Sequence, residues 1–98
     1  MVDLQIEPEA IHIRVMIEYC ELWANKTWHS ITVEQALTSY AERQLRCPEC
    51  HGAVRPHRAS SDGAMQAHFE HRIGHTGCSR AHKFDGSPRP HPKPLDLR

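Results

Sequence analysis

Aromatic residues, net charge and long apolar runs are all scarce in this chain, and each shortage removes a class of function. Six aromatics in 98 residues, with only Phe69 and Phe84 in the basic half, leave no broad surface on which bases could stack. No apolar run approaches the roughly 20 residues that a bilayer span requires, so no membrane role is expected. Twelve Lys and Arg balance twelve Asp and Glu, which excludes a uniformly basic or acidic protein. Asn25 is the lone asparagine and lies far from the histidine-rich half. A metal-dependent nuclease of the ββα type pairs a catalytic histidine with an asparagine and a second histidine on a helix, so no enzyme of that kind is expected. The start, Met1-Val2-Asp3-Leu4-Gln5-Ile6-Glu7, lacks the basic residues and apolar stretch of a signal peptide, and the expected location is the reducing cytoplasm.

What is abundant is sulfur and imidazole at metal-ligand spacing. Cys47-Pro48-Glu49-Cys50 places two thiols in a knuckle whose backbone amides turn toward sulfur, and His68, His71, His75 and Cys78 follow about twenty residues later. In a reducing compartment such a set holds a metal more often than it forms a disulfide. A tetrahedral Zn²⁺ site takes four ligands, so two must come from the second cluster. Cys78 is one, because thiolate is the softer and tighter ligand. Strand parity favours His71 as the other. If Ala67 to Glu70 is extended, Phe69 and His71 share one face while His68 and Glu70 share the opposite one. Phe69 then faces the core and His71 the metal, with His75 and His68 as rivals. The predicted site is Cys47, Cys50, His71 and Cys78 around one zinc ion. The remaining cysteine, Cys20, is expected to be a small buried residue.

The link between the two clusters reads as a β-hairpin. Val54-Arg55-Pro56-His57 and Met65-Gln66-Ala67-His68-Phe69 flank Ala59-Ser60-Ser61-Asp62-Gly63, a turn-rich run ending in Asp-Gly. Knuckle, hairpin and returning ligands together give the plan of a zinc ribbon or treble clef.

Upstream, Ile11, Ile13, Val15 and Ile17 alternate with polar or longer residues, the period of a half-buried strand. Leu22-Trp23 and Trp28-His29-Ser30-Ile31 flank Ala24-Asn25-Lys26-Thr27, so Cys20 to Ile31 is expected to be a hairpin with its tryptophans stacked across it or packed on the next helix. That helix begins at Thr32, with Gln35 in the capping-box position. Val33, Ala36, Leu37, Tyr40, Ala41 and Leu45 fall on one helical face, which carries the helix to the knuckle. A short helix is expected over Ser79 to Phe84. From Asp85 onward prolines recur at every second position, at 88, 90, 92 and 94, which reads as an extended, disordered tail. The expected fold class is α+β: one zinc-stabilised domain over residues 1–84, its zinc unit over 46–84, with a proline-rich tail over 85–98. So short a domain has a modest core, and the metal would contribute to its folding.

Charge divides along the sequence. Residues 1–42 hold two basic side chains against seven acidic ones, a net of −5, and residues 43–98 hold ten against five, a net of +5, with seven of the nine histidines. A basic, metal-bearing half suggests a polyanion. Arg55, Arg58, Arg72, Arg80 and Lys83, around the site, are the candidate phosphate contacts. The rival partner is a protein, a second copy included, engaged through the tail, the acidic face or a strand edge.

The run Cys47-Pro48-Glu49-Cys50, Val54-Arg55-Pro56-His57, Gly63, His68-Phe69-Glu70-His71 and Cys78-Ser79 resembles the zinc-finger-like N-terminal region of competence protein CoiA-like proteins. The resemblance covers residues 46–83. It implies a metal role for Cys47, Cys50, Cys78 and one of His68 or His71. Relatives in that family continue into a nuclease-like domain, so the resemblance implies the accessory finger alone, in the setting of bacterial or phage DNA metabolism.

Overall fold

The computed structural model describes residues 18–97, and the strand expected over Ile11 to Ile17 lies outside the described residues. The first element is the expected hairpin. β1 (Tyr19–Ala24) pairs antiparallel with β2 (Thr27–Thr32), from Tyr19 opposite Thr32 to Ala24 opposite Thr27. Asn25 and Lys26 turn the corner at φ of 54° and 62°, the two left-handed residues that match the twist of the flanking strands. Trp23 and Trp28 sit directly opposite one another, ring centroids 5.2 Å apart and tilted by 56°.

Thr32 ends the strand and starts the helix. Its hydroxyl accepts from the Gln35 N–H while the Gln35 side chain accepts from the Thr32 N–H, the reciprocal capping box. α1 (Val33–Gln35) continues as a widened π turn over Ala36–Tyr40 and stops there. The helix expected to reach Leu45 is therefore shorter than its apolar periodicity suggests. Leu45 is instead in β3 (Leu45–Arg46), which pairs antiparallel with β1, Leu45 opposite Leu22 and Arg46 opposite Glu21. Leu45 is buried there as it would have been on a helix, so the two alternatives satisfy the same apolar position.

The first sheet thus has the order β2-β1-β3, and β4 (Val54–His57) with β5 (His68–His71) makes a second, two-stranded sheet. A single bridge from Arg46 to Ala53 joins the two. The loop between β4 and β5 carries its own hydrogen bonds, the Asp62 carboxylate accepting from Ser60 and from the Ala64 N–H, and Gly63 supplies the left-handed φ of 79°.

One apolar cluster sits between the sheets. Cys20, Leu22, Ile31, Ala36, Leu45 and Val54 pack with Cys47, Cys50 and Cys78, and Tyr40, Phe69 and Ala81 close over it. The sulfurs of the candidate metal site are therefore part of the core. No helix among the described residues is long and apolar enough to cross a membrane.

Two expectations about the C-terminal part need correction. Ser79 to Phe84 forms a turn, the Ala81 N–H reaching the Cys78 carbonyl, and not a short helix. The segment from Asp85 onward is extended but is no free tail: the N–H groups of Asp85, Arg89, His91 and Leu95 donate to the carbonyls of Thr76, Gly77, Cys50 and His51. Proline removes one donor in two, and Arg89 and His91 between the prolines, with Leu95 after them, use theirs to attach the segment to the domain.

Candidate metal centre

The knuckle is built by backbone hydrogen bonds that need an unusual turn. The Cys47 N–H donates to the Gly52 carbonyl and the His51 N–H to the Cys47 carbonyl, and closing this loop puts His51 at a φ of 65°. The second half comes from β5. Val54 opposite His71 and Pro56 opposite Phe69 lie on the inner face of the hairpin, while Arg55, His57, His68 and Glu70 lie on the outer face. Phe69 accordingly packs on the core and His71 points beside it to the knuckle.

Ligand atoms of Cys47, Cys50, His71 and Cys78 all lie within 4.8 Å of one another. Cys47 Sγ and Cys78 Sγ are 3.6 Å apart, and Cys50 Sγ is 3.3 Å from His71 Nε2. Around a tetrahedral zinc with bonds of about 2.3 Å to sulfur and 2.0 Å to nitrogen, those separations come to roughly 3.8 and 3.5 Å. The four residues could hold a metal ion, and three sulfurs with one imidazole suit zinc. Cys20, although buried, is outside this group, and burial pushes its thiol up to about 12.

The surroundings are arranged for negative charge on sulfur. The N–H groups of Glu49, Gly52 and Arg80 each point at the sulfur two residues earlier, on Cys47, Cys50 and Cys78, at 3.4 Å. Burial raises the Cys78 thiol to about 12 and also raises Cys50. At Cys47 burial pushes the same way, but hydrogen bonds from His71, from the Cys50 and Glu49 amides and from Cys78 bring the thiol down to about 7. Three thiolates side by side repel one another, and a divalent cation is what allows all three to lose their protons.

Glu49 ties the two halves together from outside. Its carboxylate accepts from both the N–H and the hydroxyl of Ser79, and these bonds, led by the hydroxyl, hold it below the usual carboxylate range. Sequence reasoning gave Glu49 and Ser79 no role. Their signal was only that each adjoins a ligand cysteine.

The rival histidines are occupied elsewhere. His68 is on the outer face, its Nδ1 2.7 Å from the Gln66 carbonyl and its Nε2 2.9 Å from Glu70. His57 stacks on it, centroids 5.4 Å apart, and its Nε2 lies 3.1 Å from Glu70, off the line of a hydrogen bond. His75 accepts from the Gly77 N–H on Nδ1 and is wedged between His71 and His91. Burial and the neighbouring His91 and His71 lower its basicity.

The basic residues sort into two kinds. Arg46 and Arg89 are used internally, by Glu21 and by Asp85. Arg55, Arg58, Arg72 and Lys83 are exposed, and among the described residues no carboxylate lies within ion-pair distance of them; Arg80 is 3.9 Å from Glu49. Arg80 and Lys83 wall a cleft of about 690 Å³ that opens beside His71 and Phe69.

The profile of an uncharacterised protein family matches residues 12–96. An uncharacterized protein of Azorhizobium caulinodans is 49% identical over 80 residues, covering 79% of this chain and 94% of that protein. No solved structure matches the chain.

Proposed function

This chain belongs to the uncharacterised family whose profile spans residues 12–96, and we propose that it is a non-enzymatic zinc module whose basic surface binds the phosphate backbone of nucleic acid. All four coordination places would be filled by protein, and three of the donors are buried sulfurs, which is the design of a structural and not a catalytic zinc site. The ion would tie knuckle, hairpin and the turn after Cys78 into one body, on the plan of a zinc ribbon or treble clef. A reducing compartment suits it, since its four cysteines are all free. The likeness to the CoiA-like finger, and with it a place near DNA metabolism, belongs to this reading.

The observation that carries the choice of partner is the set of exposed cations with no carboxylate within ion-pair distance among the described residues. Arg55, Arg58, Arg72 and Lys83, with the loosely paired Arg80, surround the metal unit and are available to phosphate. No helix of recognition length stands among the described residues, so the contacts are with the backbone and carry little base preference. A labelled duplex and a labelled single strand titrated at 50 and 200 mM salt test this. With four or five phosphate contacts the affinity should fall by about 10²-fold between the two conditions. Replacing Arg58 and Arg72 by alanine should weaken binding and flatten the salt slope by about 2. Affinity unchanged by salt, or by both substitutions, refutes the reading.

Exposed Met65, Ile73 and Phe84 favour a second reading, a zinc-stabilised surface for a protein partner or a second copy of the chain. Sedimentation at several concentrations separates the homodimer from the monomer.

A further inference from the structure

We propose that residues 85–97 are a clasp over the metal centre, with His91 as its positioning residue, so that the ion exchanges with solvent faster when the clasp lifts. The proposal rests on the metal reading above and adds a gate to it. Pro88, Pro90, Pro92 and Pro94 hold the backbone extended, and the residues between them carry the donors. The Arg89 N–H reaches the Gly77 carbonyl at 2.9 Å, the His91 N–H the Cys50 carbonyl at 2.9 Å, and the Leu95 N–H the His51 carbonyl at 2.7 Å. Cys50 belongs to the first half of the ligand set and His51 follows it in the knuckle, and Gly77 adjoins Cys78 in the second. The clasp therefore bridges both halves over the same 47–78 unit that an ion would bridge from within.

Two glycines receive it. A Cβ on Gly52 would lie 2.4 Å from Cδ2 of His91, and a Cβ on Gly77 would lie 2.4 Å from Cγ of Arg89. His91 is 4% exposed with both ring nitrogens engaged, Nε2 donating to the Ile73 carbonyl at 2.8 Å and Nδ1 accepting from the Lys93 N–H at 2.9 Å. Its ring meets His75 edge-on at 4.5 Å, and His75 meets the ligand His71 at 6.2 Å. Arg89 is fixed by Asp85, Thr76 and Ser87. The prolines also restrict the lifted clasp, so reclosing loses little chain entropy. A segment held this way and easily returned behaves as a gate.

The test is zinc exchange in the full chain. Wild type, Gly52→Ala, Gly77→Ala, His91→Ala and, as control, Arg58→Ala are loaded with one equivalent of zinc. Release to excess pyridylazoresorcinol and loading of the metal-free protein are then timed. Gly52→Ala and His91→Ala should release zinc at least about tenfold faster, the effect of losing one or two hydrogen bonds, with Arg58→Ala at the wild-type rate. A gate acts in both directions, so loading should accelerate as well and Kd should move less than either rate. Gly77→Ala adds one methyl at the other end of the clasp and reports independently if a variant fails to fold. Release at the wild-type rate from all three clasp variants overturns the proposal, as does faster release with no gain in loading. If wild type takes up zinc and only these rates disagree, the clasp alone fails; if wild type takes up no zinc, the metal reading fails with it.

Discussion

Replacing Arg46 by alanine should destabilise the zinc-loaded protein by about 3 kcal/mol. The side chain is 11% exposed and serves three elements at once. Its Nε is 2.7 Å from Glu21 on β1, its guanidinium carbon sits 3.9 Å from the centroid of the Trp28 ring on β2, and its NH1 group reaches the Leu95 carbonyl on the clasp at 3.3 Å. Hydrogen bonds to a partly buried charge contribute about 1.5–3 kcal/mol, and a cation over an aromatic face about 0.5–2. The pair with Asp96, at 3.6 Å and 57% exposed on the Asp96 side, adds little because solvent screens it. These contributions share one side chain and do not sum in full, which leaves about 3 kcal/mol, or roughly 12–24 °C in Tm for a domain of this size. Lysine should recover less than half of the loss, since it keeps the charge but neither the fork nor the flat stacking surface. The assay is urea unfolding at fixed free zinc, with Glu21→Ala and the double variant completing a cycle whose coupling should be about 1–2 kcal/mol. A cost below about 1 kcal/mol for alanine, or lysine equal to arginine, refutes the reasoning.

Cys50→Ser and His71→Ala should lose metal, whereas His68→Ala and His75→Ala should keep one equivalent, as measured by elemental analysis and by the thiolate charge-transfer bands of the cobalt-loaded protein; full occupancy in the first pair sinks the ligand assignment. Chelation should unfold the knuckle and β4–β5 together, seen by loss of amide protection, because ion binding and folding share one free energy. At His68 burial opposes the charged ring, but the Gln66 carbonyl and Glu70 outweigh it and raise its pKa above 6.5. Its stabilisation should therefore be fully present below pH 6.5 and be lost as pH rises through the folded value, with Glu70→Gln shrinking the shift in an NMR titration. Lys26→Gly should stabilise by about 0.5 kcal/mol in thermal unfolding, since glycine takes the left-handed turn position without the Cβ penalty.

The convergence of Cys47, Cys50, His71 and Cys78 was legible because two-residue periodicity is strict. Once 68–71 is extended, parity alone separates His71 from His68, and the turn-rich 59–63 run between apolar segments sets up that strand. The first hairpin and the Thr32 cap were legible for the same reason: each depends on a few adjacent residues. Leu45 was not. Its spacing from Ala41 fits a helix, but the partner that claims it, Leu22, is remote in sequence, and no local pattern records that pairing. The clasp was misread in a related way. Alternating prolines do specify an extended chain, yet whether the intervening N–H groups face water or the domain depends on carbonyls of Cys50, His51 and Gly77, and on two glycines flat enough to accept His91 and Arg89.

The clasp's attachment points also impose an order of assembly. Every carbonyl and every bare glycine surface it uses lies earlier in the chain, at 50–52 and 73–77, and those become neighbours only after the knuckle and the returning loop have met. A ribosome delivers these partners before residue 85. The first hairpin can close on its own within microseconds, whereas the segment that follows residue 85 has nothing to dock on until the knuckle and the returning loop have met. Seating of the His91 ring therefore has to follow the meeting of the knuckle and the returning loop.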